Sequence, residues 1–306
     1  MVTRSLLAIG LLACHSSPPD VLDRTLVPIG GRAVDGLELS TPEGATYTAS
    51  DLVGRWTVVA FGYTSCPDVC PSTLLGVSDA LDRWQADGRA VDTLFVAVDP
   101  THDAPVLEAY LDHFHPSLKG ATGTDTTLQQ AAAALGASFR IATTESGERR
   151  VDHSTSVFVV DPQGVVAAVH TRPSDGELLA SEVGAFIDGW EPTLRLDGWI
   201  RRPPPGAGAA AGYGTFHSAA TTARAIAALR SPQAESIHTH ETVQADGVAY
   251  MQPATFRVDA RGELALTPGG RHLMIGGLDP DAPEIDLHLT LDDGTTLWAR
   301  LPVRSR

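Results

Sequence analysis

Cysteine and methionine are scarce in this 306-residue chain, three of each, so the placement of every one carries information. Three cysteines allow at most one disulfide within the chain. Basic residues are also few: 22 against 37 acidic ones give a net charge of −15. That balance excludes nucleic-acid binding through a basic surface and weakly favours cationic partners. No apolar run reaches the roughly 18 to 20 residues of a membrane-spanning helix. What is present is an ordinary globular composition, 43% hydrophobic and 19% charged, in a chain long enough for two domains with their own cores.

Two of the three cysteines lie close together in Phe61-Gly62-Tyr63-Thr64-Ser65-Cys66-Pro67-Asp68-Val69-Cys70-Pro71. The run from Trp56 to Phe61 is short, apolar and β-branched, which predicts a buried strand. Leu74, Val77, Leu81 and Trp84 recur at spacings of three and four, which predicts a helix from about Ser72 to Trp84. Both cysteines precede proline, so Cys66 to Cys70 is expected to be a loop, with Pro71 in the first helical turn. Cys70 then lies near a helix N-terminus, where the dipole favours a thiolate. A cysteine pair at this spacing fits a metal site, a redox pair, a small structural disulfide or two unrelated buried thiols.

The flanking residues point further. The Phe61–Pro71 stretch resembles the signature of the Sco/SenC family, thioredoxin-like copper proteins that assist assembly of the copper centre of cytochrome oxidase. The resemblance implies a downstream histidine as third ligand, and Val151-Asp152-His153-Ser154 supplies it at His153. Soft thiolates suit copper(I), and an added imidazole also supports copper(II). Asp68 and Asp152 are candidates to orient the ligands, though both also fit solvated turn carboxylates. His102, His113, His115 and His170 read as surface or core residues.

The third cysteine ends the N-terminal segment Ser5-Leu6-Leu7-Ala8-Ile9-Gly10-Leu11-Leu12-Ala13-Cys14, a short apolar stretch after Arg4 that reads as a signal peptide. Leu11-Leu12-Ala13-Cys14 resembles a bacterial lipobox, which implies lipidation of Cys14 and attachment to the extracytoplasmic face of a membrane. Ordinary cleavage with an incidental cysteine is the alternative. The expected organisation is a signal peptide at 1–13, a tether at 14–26, a Sco-like domain at 27–190, a linker at 191–194 and a second domain at 195–306.

Within the first domain the pattern predicts a hairpin near Gly30-Gly31 and Pro42-Glu43-Gly44, a strand at Val91 to Val98 and helices at Ala104 to Phe114 and Thr126 to Leu135. A strand at Ser138 to Ala142, a hairpin turned by Asp161-Pro162-Gln163-Gly164 and a helix from Gly176 to Trp190 complete it. His153 sits at the edge of an element, just before the strand beginning near Ser156.

After Trp190 short strands dominate. Leu196-Asp197-Gly198-Trp199-Ile200-Arg201, the following prolines, and Ala211-Gly212-Tyr213-Gly214-Thr215-Phe216 resemble the opening of the PCu(A)C copper-chaperone family, which implies a cupredoxin-like β-sandwich. His240, Met251, and the pair His272 and Met274 behind Pro268-Gly269-Gly270 match that family's ligand pattern. His272 and Met274, two apart, face one side of a strand. His238 shares the strand face of His240 and is an alternative to it, while His217 and His288 read as structural. Thr242 and Ala249 stand where relatives often carry further methionines, which puts a second methionine-rich site in doubt.

Together these readings give an α/β thioredoxin-like domain followed by an all-β cupredoxin-like domain, in a lipid-anchored protein of the periplasm. The implied function is a copper chaperone serving the copper-bearing subunit of cytochrome oxidase, and reducing that subunit's cysteines is part of the same expectation. Other copper or thiol-redox proteins are further implied partners. The alternative is a thiol-disulfide oxidoreductase or peroxidase with a C-terminal docking domain, against which stands the CxxxC spacing where thioredoxin-type reductases use CxxC. A copper-buffering role without a transfer partner is a third reading.

Overall fold

The computed structural model describes residues 25–29, 31, 33–143, 149–203, 206, 208–245 and 248–305. The expected signal peptide and Cys14 lie outside the described residues. In chain order the first domain contains β1 (Leu26–Pro28), β2 (Glu38–Ser40), β3 (Thr46–Thr48), β4 (Trp56–Gly62), α1 (Val69–Ala86), β5 (Val91–Ala97), α2 (Pro100–Asp103), α3 (Leu107–Leu111) and β6 (Leu118–Ala121). It continues with α4 (Asp125–Leu135), β7 (Phe139–Thr143), β8 (Arg149–His153), β9 (Val157–Val160), β10 (Val166–His170) and α5 (Gly176–Asp188).

Every residue of β4 is buried, as a strand covered on both faces requires. It runs parallel to β5 and antiparallel to β9 in a sheet of order β1-β10-β9-β4-β5-β6. α1 and α5 cover one face through Leu74, Leu81, Trp84, Leu179 and Val183, and α4 covers the other through Leu128 and Leu135. α1 approaches the segment before α5 closely, since a Cβ on Gly76 would lie 2.1 Å from the Pro173 carbonyl oxygen. Trp84 Nε1 donates to the Ala180 carbonyl at 3.1 Å, fixing α1 against α5. This is a thioredoxin-like α/β domain.

Several local expectations shift. α1 starts at Val69, so only Cys66 lies in the loop and Cys70 is the second helical residue. The first turn of a helix has unpaired N–H groups in any case, so Pro71 removes no hydrogen bond there. Of the helix expected from Ala104 to Phe114 only α3 forms; α2 precedes that range, and Pro105 lies between the two. β6 and β8 are strands that the sequence pattern does not predict. Among the described residues β8 pairs only with β7, in a two-stranded ribbon outside the main sheet, and His153 is its last residue.

The second domain contains β11 (Leu194–Arg201), β12 (Ala209–Ser218), β13 (Arg224–Arg230), β14 (Ser236–Ala245), β15 (Val248–Pro253), β16 (Arg257–Val258), β17 (Glu263–Leu266), β18 (Arg271–Gly276), β19 (Glu284–Leu291) and β20 (Thr296–Arg304). Their order is β15-β14-β18-β12-β11-β20-β19-β13-β16, with β17 beside β12. The all-β domain closes over Ile200, Phe216, Phe256, Leu273, Leu287 and Leu301.

One side chain of the second domain belongs to the first domain's core. Trp298 on β20 is 3% exposed and packs in the cluster formed by Val34, Leu52, Val160 and Leu128. Its Nε1 donates to the Val34 carbonyl at 3.2 Å, and its backbone N–H donates to the Gln163 carbonyl at 2.8 Å. Gly164 makes room for the indole: a Cβ there would sit 2.8 Å from Trp298 Cδ1, and its φ of +68° already favours glycine. Arg300 reaches the Ser50 carbonyl at 2.7 Å, and Arg230 pairs with Asp35. Thr57 is paired with Val160, so the Asp161–Gly164 turn lies at the beginning of β4. The second domain therefore docks at the opposite end of the sheet from the cysteines.

Candidate metal centres

The first centre lies beyond the end of β4. Cys66 comes from the loop, half-buried, and Cys70 from the first turn of α1, buried; both are free thiols. His153 reaches them from the end of β8. Cys70 Sγ and His153 Nε2 are 3.3 Å apart, and the Cys70 N–H donates to Cys66 Sγ at 3.4 Å. The donor atoms of Cys66, Cys70 and His153 all lie within 4.8 Å of one another. Thiolate and imidazole ligands bonded at roughly 2.0–2.3 Å to one ion stand at most about 4.6 Å apart, so the three are close to bonding separation.

The histidine is set for ligation. Its Nδ1 lies 2.8 Å from the Ser154 carbonyl oxygen, which only accepts, so Nδ1 carries the proton and Nε2 presents a lone pair to Cys70. The Tyr63 ring meets the imidazole edge-on, with centroids 5.8 Å apart. Asp103 is fully buried and accepts from the Thr64 N–H at 2.8 Å and the Thr64 hydroxyl at 2.7 Å, which fixes the chain two residues before Cys66.

The two thiols differ, and not as the sequence suggests. Burial works against the Cys66 thiolate, yet the N–H groups of Asp68 and Cys70, the Cys70 thiol and the Tyr63 hydroxyl together outweigh it and hold Cys66 below the ordinary thiol range. Cys70, expected to be the activated thiol, is pushed well up, first by burial and then by the Cys66 sulfur. The helix terminus is outweighed because Cys70 is 2% exposed. Tyr63 is raised to about 12, by burial first and then by the Cys66 charge, and stays a hydroxyl donor. Of the two carboxylates considered as orienting groups, Asp152 is exposed and pairs with Arg150 at 3.2 Å, and Asp68 is exposed with no capping bond from its side chain.

The second centre lies on three adjacent strands, β15, β14 and β18. His240 stands opposite His272, His238 opposite Met274, and Thr242 opposite Met251. Residues directly across an antiparallel pair, and residues two apart on one strand, share a face. The register thus collects His240, Met251, His272 and Met274 on one side of the sheet, with His238 beside them. The His240 and His272 ring centroids are 6.1 Å apart. His272 Nδ1 lies 3.0 Å from the Gly270 carbonyl, leaving Nε2 as the free donor. His240 Nδ1 is buried, and among the described residues nothing bonds to it. Burial, then His272 and His238, hold His240 below the usual histidine value, so its imidazole is neutral at neutral pH, the form a metal would require. Met251 is 60% exposed, which removes core filling as the reason for its presence. His288, by contrast, is buried at the domain interface, and His217 pairs with Glu263 at 2.9 Å.

Sequence reasoning missed Thr64, Asp103 and the role of Tyr63. Tyr63 and Thr64 lie inside the quoted cysteine stretch, which is a signal; Asp103 gives none in a turn of ordinary appearance.

Comparison with known proteins covers both halves. A family model described as SCO1/SenC matches residues 33–188, and one described as LpqE-like, a lipoprotein family, matches residues 196–303. Protein SenC of Rhodobacter capsulatus is 30% identical over 187 residues, 59% of this chain and 85% of that protein. A protein of Stutzerimonas stutzeri described as copper-binding is 34% identical over 135 residues, 44% of this chain and 66% of that protein. Among solved structures, Arabidopsis thaliana ScoI with copper bound is 27% identical and covers 53% of this chain and 100% of its own, with a TM-score of 0.48.

Proposed function

Since the chain belongs to the SCO1/SenC family and carries an LpqE-like domain behind that part, we propose that it is an extracytoplasmic copper chaperone with two separate copper sites. The observation that carries this reading is the convergence of Cys66, Cys70 and His153 within 4.8 Å. Two thiolates and one neutral imidazole form a soft, three-donor set that suits copper(I) and tolerates copper(II). Copper is cargo here, and the half-exposed Cys66 is the donor a partner reaches first. The second domain holds copper(I) through His240, Met251, His272 and Met274, because thioethers favour the cuprous ion and two imidazoles complete four donors. The acceptor is the copper-bearing subunit of cytochrome oxidase, and a lipidated Cys14 tethers the protein to the membrane.

A second reading rests on the thiols themselves. Cys66 has the lowered, accessible sulfur and Cys70 the buried one behind it, which is the arrangement of an attacking and a resolving thiol. Cys66 would attack an acceptor disulfide, and Cys70 would then displace the acceptor thiol, leaving Cys66 and Cys70 oxidised and the acceptor's pair reduced. Both readings use the same pair, since copper binding also requires it reduced.

Copper titration of the full chain tests the first. Only the first site supplies thiolates, so its copper(II) form carries a sulfur-to-copper charge-transfer band. Cys66→Ser and Cys70→Ser should each weaken or shift that band, and the double variant should abolish it and lower copper uptake by one equivalent. Equal uptake and an unchanged band in these variants and the parent would defeat the assignment.

A further inference from the structure

Among the described residues β8, which carries His153, has no hydrogen-bonded neighbour in the main sheet, so other contacts must hold it against the cysteines. Arg149, Val151 and His153 alternate along β8 and therefore share one face. Val151 packs against the core, and His153 meets Cys70. At the far end, Arg149 makes a two-pronged pair with Asp99: Nε to Oδ2 at 2.6 Å and the terminal nitrogen to Oδ1 at 2.7 Å. Asp99 is 1% exposed, and it also binds His102. Arg150 and Asp152, on the opposite face, are exposed and bind each other.

Asp99 is not an arbitrary anchor. It opens the turn Asp99–Asp103, whose last residue holds Thr64 and so the loop of Cys66. The Asp99 N–H in turn donates to Asp103 Oδ2 at 2.9 Å. One short turn after β5 thus grips both halves of the site, the cysteine loop through Asp103 and the histidine ribbon through Asp99.

Resting on the copper reading of this site, we propose that Arg149 is a positioning residue for the metal centre. Its ion pair with Asp99 clamps the β7–β8 ribbon so that His153 Nε2 stays at Cys70. A planar guanidinium fits this task because its fork fixes direction as well as distance, and a carboxylate buried this deeply holds it firmly. Removing the clamp leaves His153 chemically intact but frees the strand that carries it. The loss should resemble that of other groups that orient metal ligands, about 10- to 100-fold in copper affinity.

The test uses the full chain with Arg149→Met, Arg149→Lys, Asp99→Asn and the double variant Arg149→Met/Asp99→Asn, with His153→Ala as reference. In the copper-free protein, Arg149→Met should lose hydrogen-exchange protection in Phe139–Thr143 and Arg149–His153, and weaken the magnetic contact between the Tyr63 and His153 rings. In the copper(II) protein it should shift the imidazole nitrogen couplings toward those of His153→Ala while the sulfur band persists. Arg149→Lys should fall between Arg149→Met and the parent. The double variant should bind copper no worse than either single one, because a broken pair cannot be broken twice. Unchanged protection and ring contact in Arg149→Met overturn the clamp, as does a loosened ribbon with parental copper affinity and nitrogen couplings. A parent without the sulfur band defeats the copper reading instead, and the copper-free measurements then decide the clamp alone.

Discussion

Replacing Trp298 with alanine should damage the first domain although the residue belongs to the second. The indole is 3% exposed and lies among Val34, Leu52 and Val160. Truncating a buried tryptophan costs about 3 to 5 kcal/mol, which includes the stranded Val34 carbonyl once Nε1 is gone. The backbone bond from Trp298 to Gln163 survives, so the damage comes from the side chain alone. A domain is stable by about 5 to 15 kcal/mol, so this removes a large share of the first domain's stability. Trp298→Phe keeps one aromatic ring but loses the N–H and part of the bicycle, so it should cost less than the alanine variant, about 1 to 3 kcal/mol. Urea unfolding of the full chain followed by circular dichroism gives the totals. Hydrogen exchange at Val34 and at Asp161–Gly164 shows where the loss falls, and these first-domain amides should be deprotected in Trp298→Ala. Gly164→Ala should reproduce the defect from the other side, through overlap with the indole and a φ of +68°. A Trp298→Ala chain that keeps its midpoint and its first-domain protection would refute the reasoning.

Three further outcomes are expected. Burial, and then Arg230, push His288 down to about 4 against an ordinary 6.5, with Asp35 opposing. The folded state therefore resists a proton that the unfolded state accepts. Stability should fall as pH drops from about 6.5 to about 4, by up to about 3 kcal/mol, and level off below. His288→Gln should flatten that part of the pH–stability curve, and an unchanged slope would assign it to other groups. Met251→Leu/Met274→Leu keeps volume and apolarity while removing both thioethers; copper(I) uptake by the second domain should fall with the fold intact, and parental affinity in a competition with a copper(I) chelator would end the methionine assignment. Finally, the mass of the native mature protein should show a chain beginning at a diacylated Cys14, because a single acyl chain anchors only marginally; any other start, or an unmodified Cys14, contradicts the anchor.

The first site was largely readable because its cysteines fall within one strand–loop–helix passage, where periodicity and proline placement define the elements. The ribbon bearing His153 was not. Arg149–His153 holds one apolar residue, Val151, among four charged or polar ones and pairs with β7, so it presents neither an alternating pattern nor the continuous apolar run that marks β4 and β9. The order of the two thiols was also misjudged, because a helix terminus is visible in sequence while burial is a property of the folded surroundings. In the second domain, the spacing of His272 and Met274 gave their common face directly. The pairing of His240 with His272 needed the register between β14 and β18, which sequence spacing does not encode. Trp298 illustrates a further limit: Leu297-Trp298-Ala299 reads as strand, and nothing local says that the indole leaves its own domain for another.

The seating of that indole decides which way each end of the molecule faces. The docking surface lies at the start of β4 and the cysteines lie past its end, and a seven-residue strand rising about 3.3 Å per residue places roughly 20 Å of packed sheet between them. In the other domain, β12 and β11 separate the histidine and methionine strands from the docking strand β20. The packed sheet of the first domain and two strands of the second therefore lie between the two candidate donor sets. On the proposed reading, and while the domains stay docked, the two donor sets are separate berths on one mooring, each open to its own visitor. Traffic from one berth to the other must then pass through a second molecule.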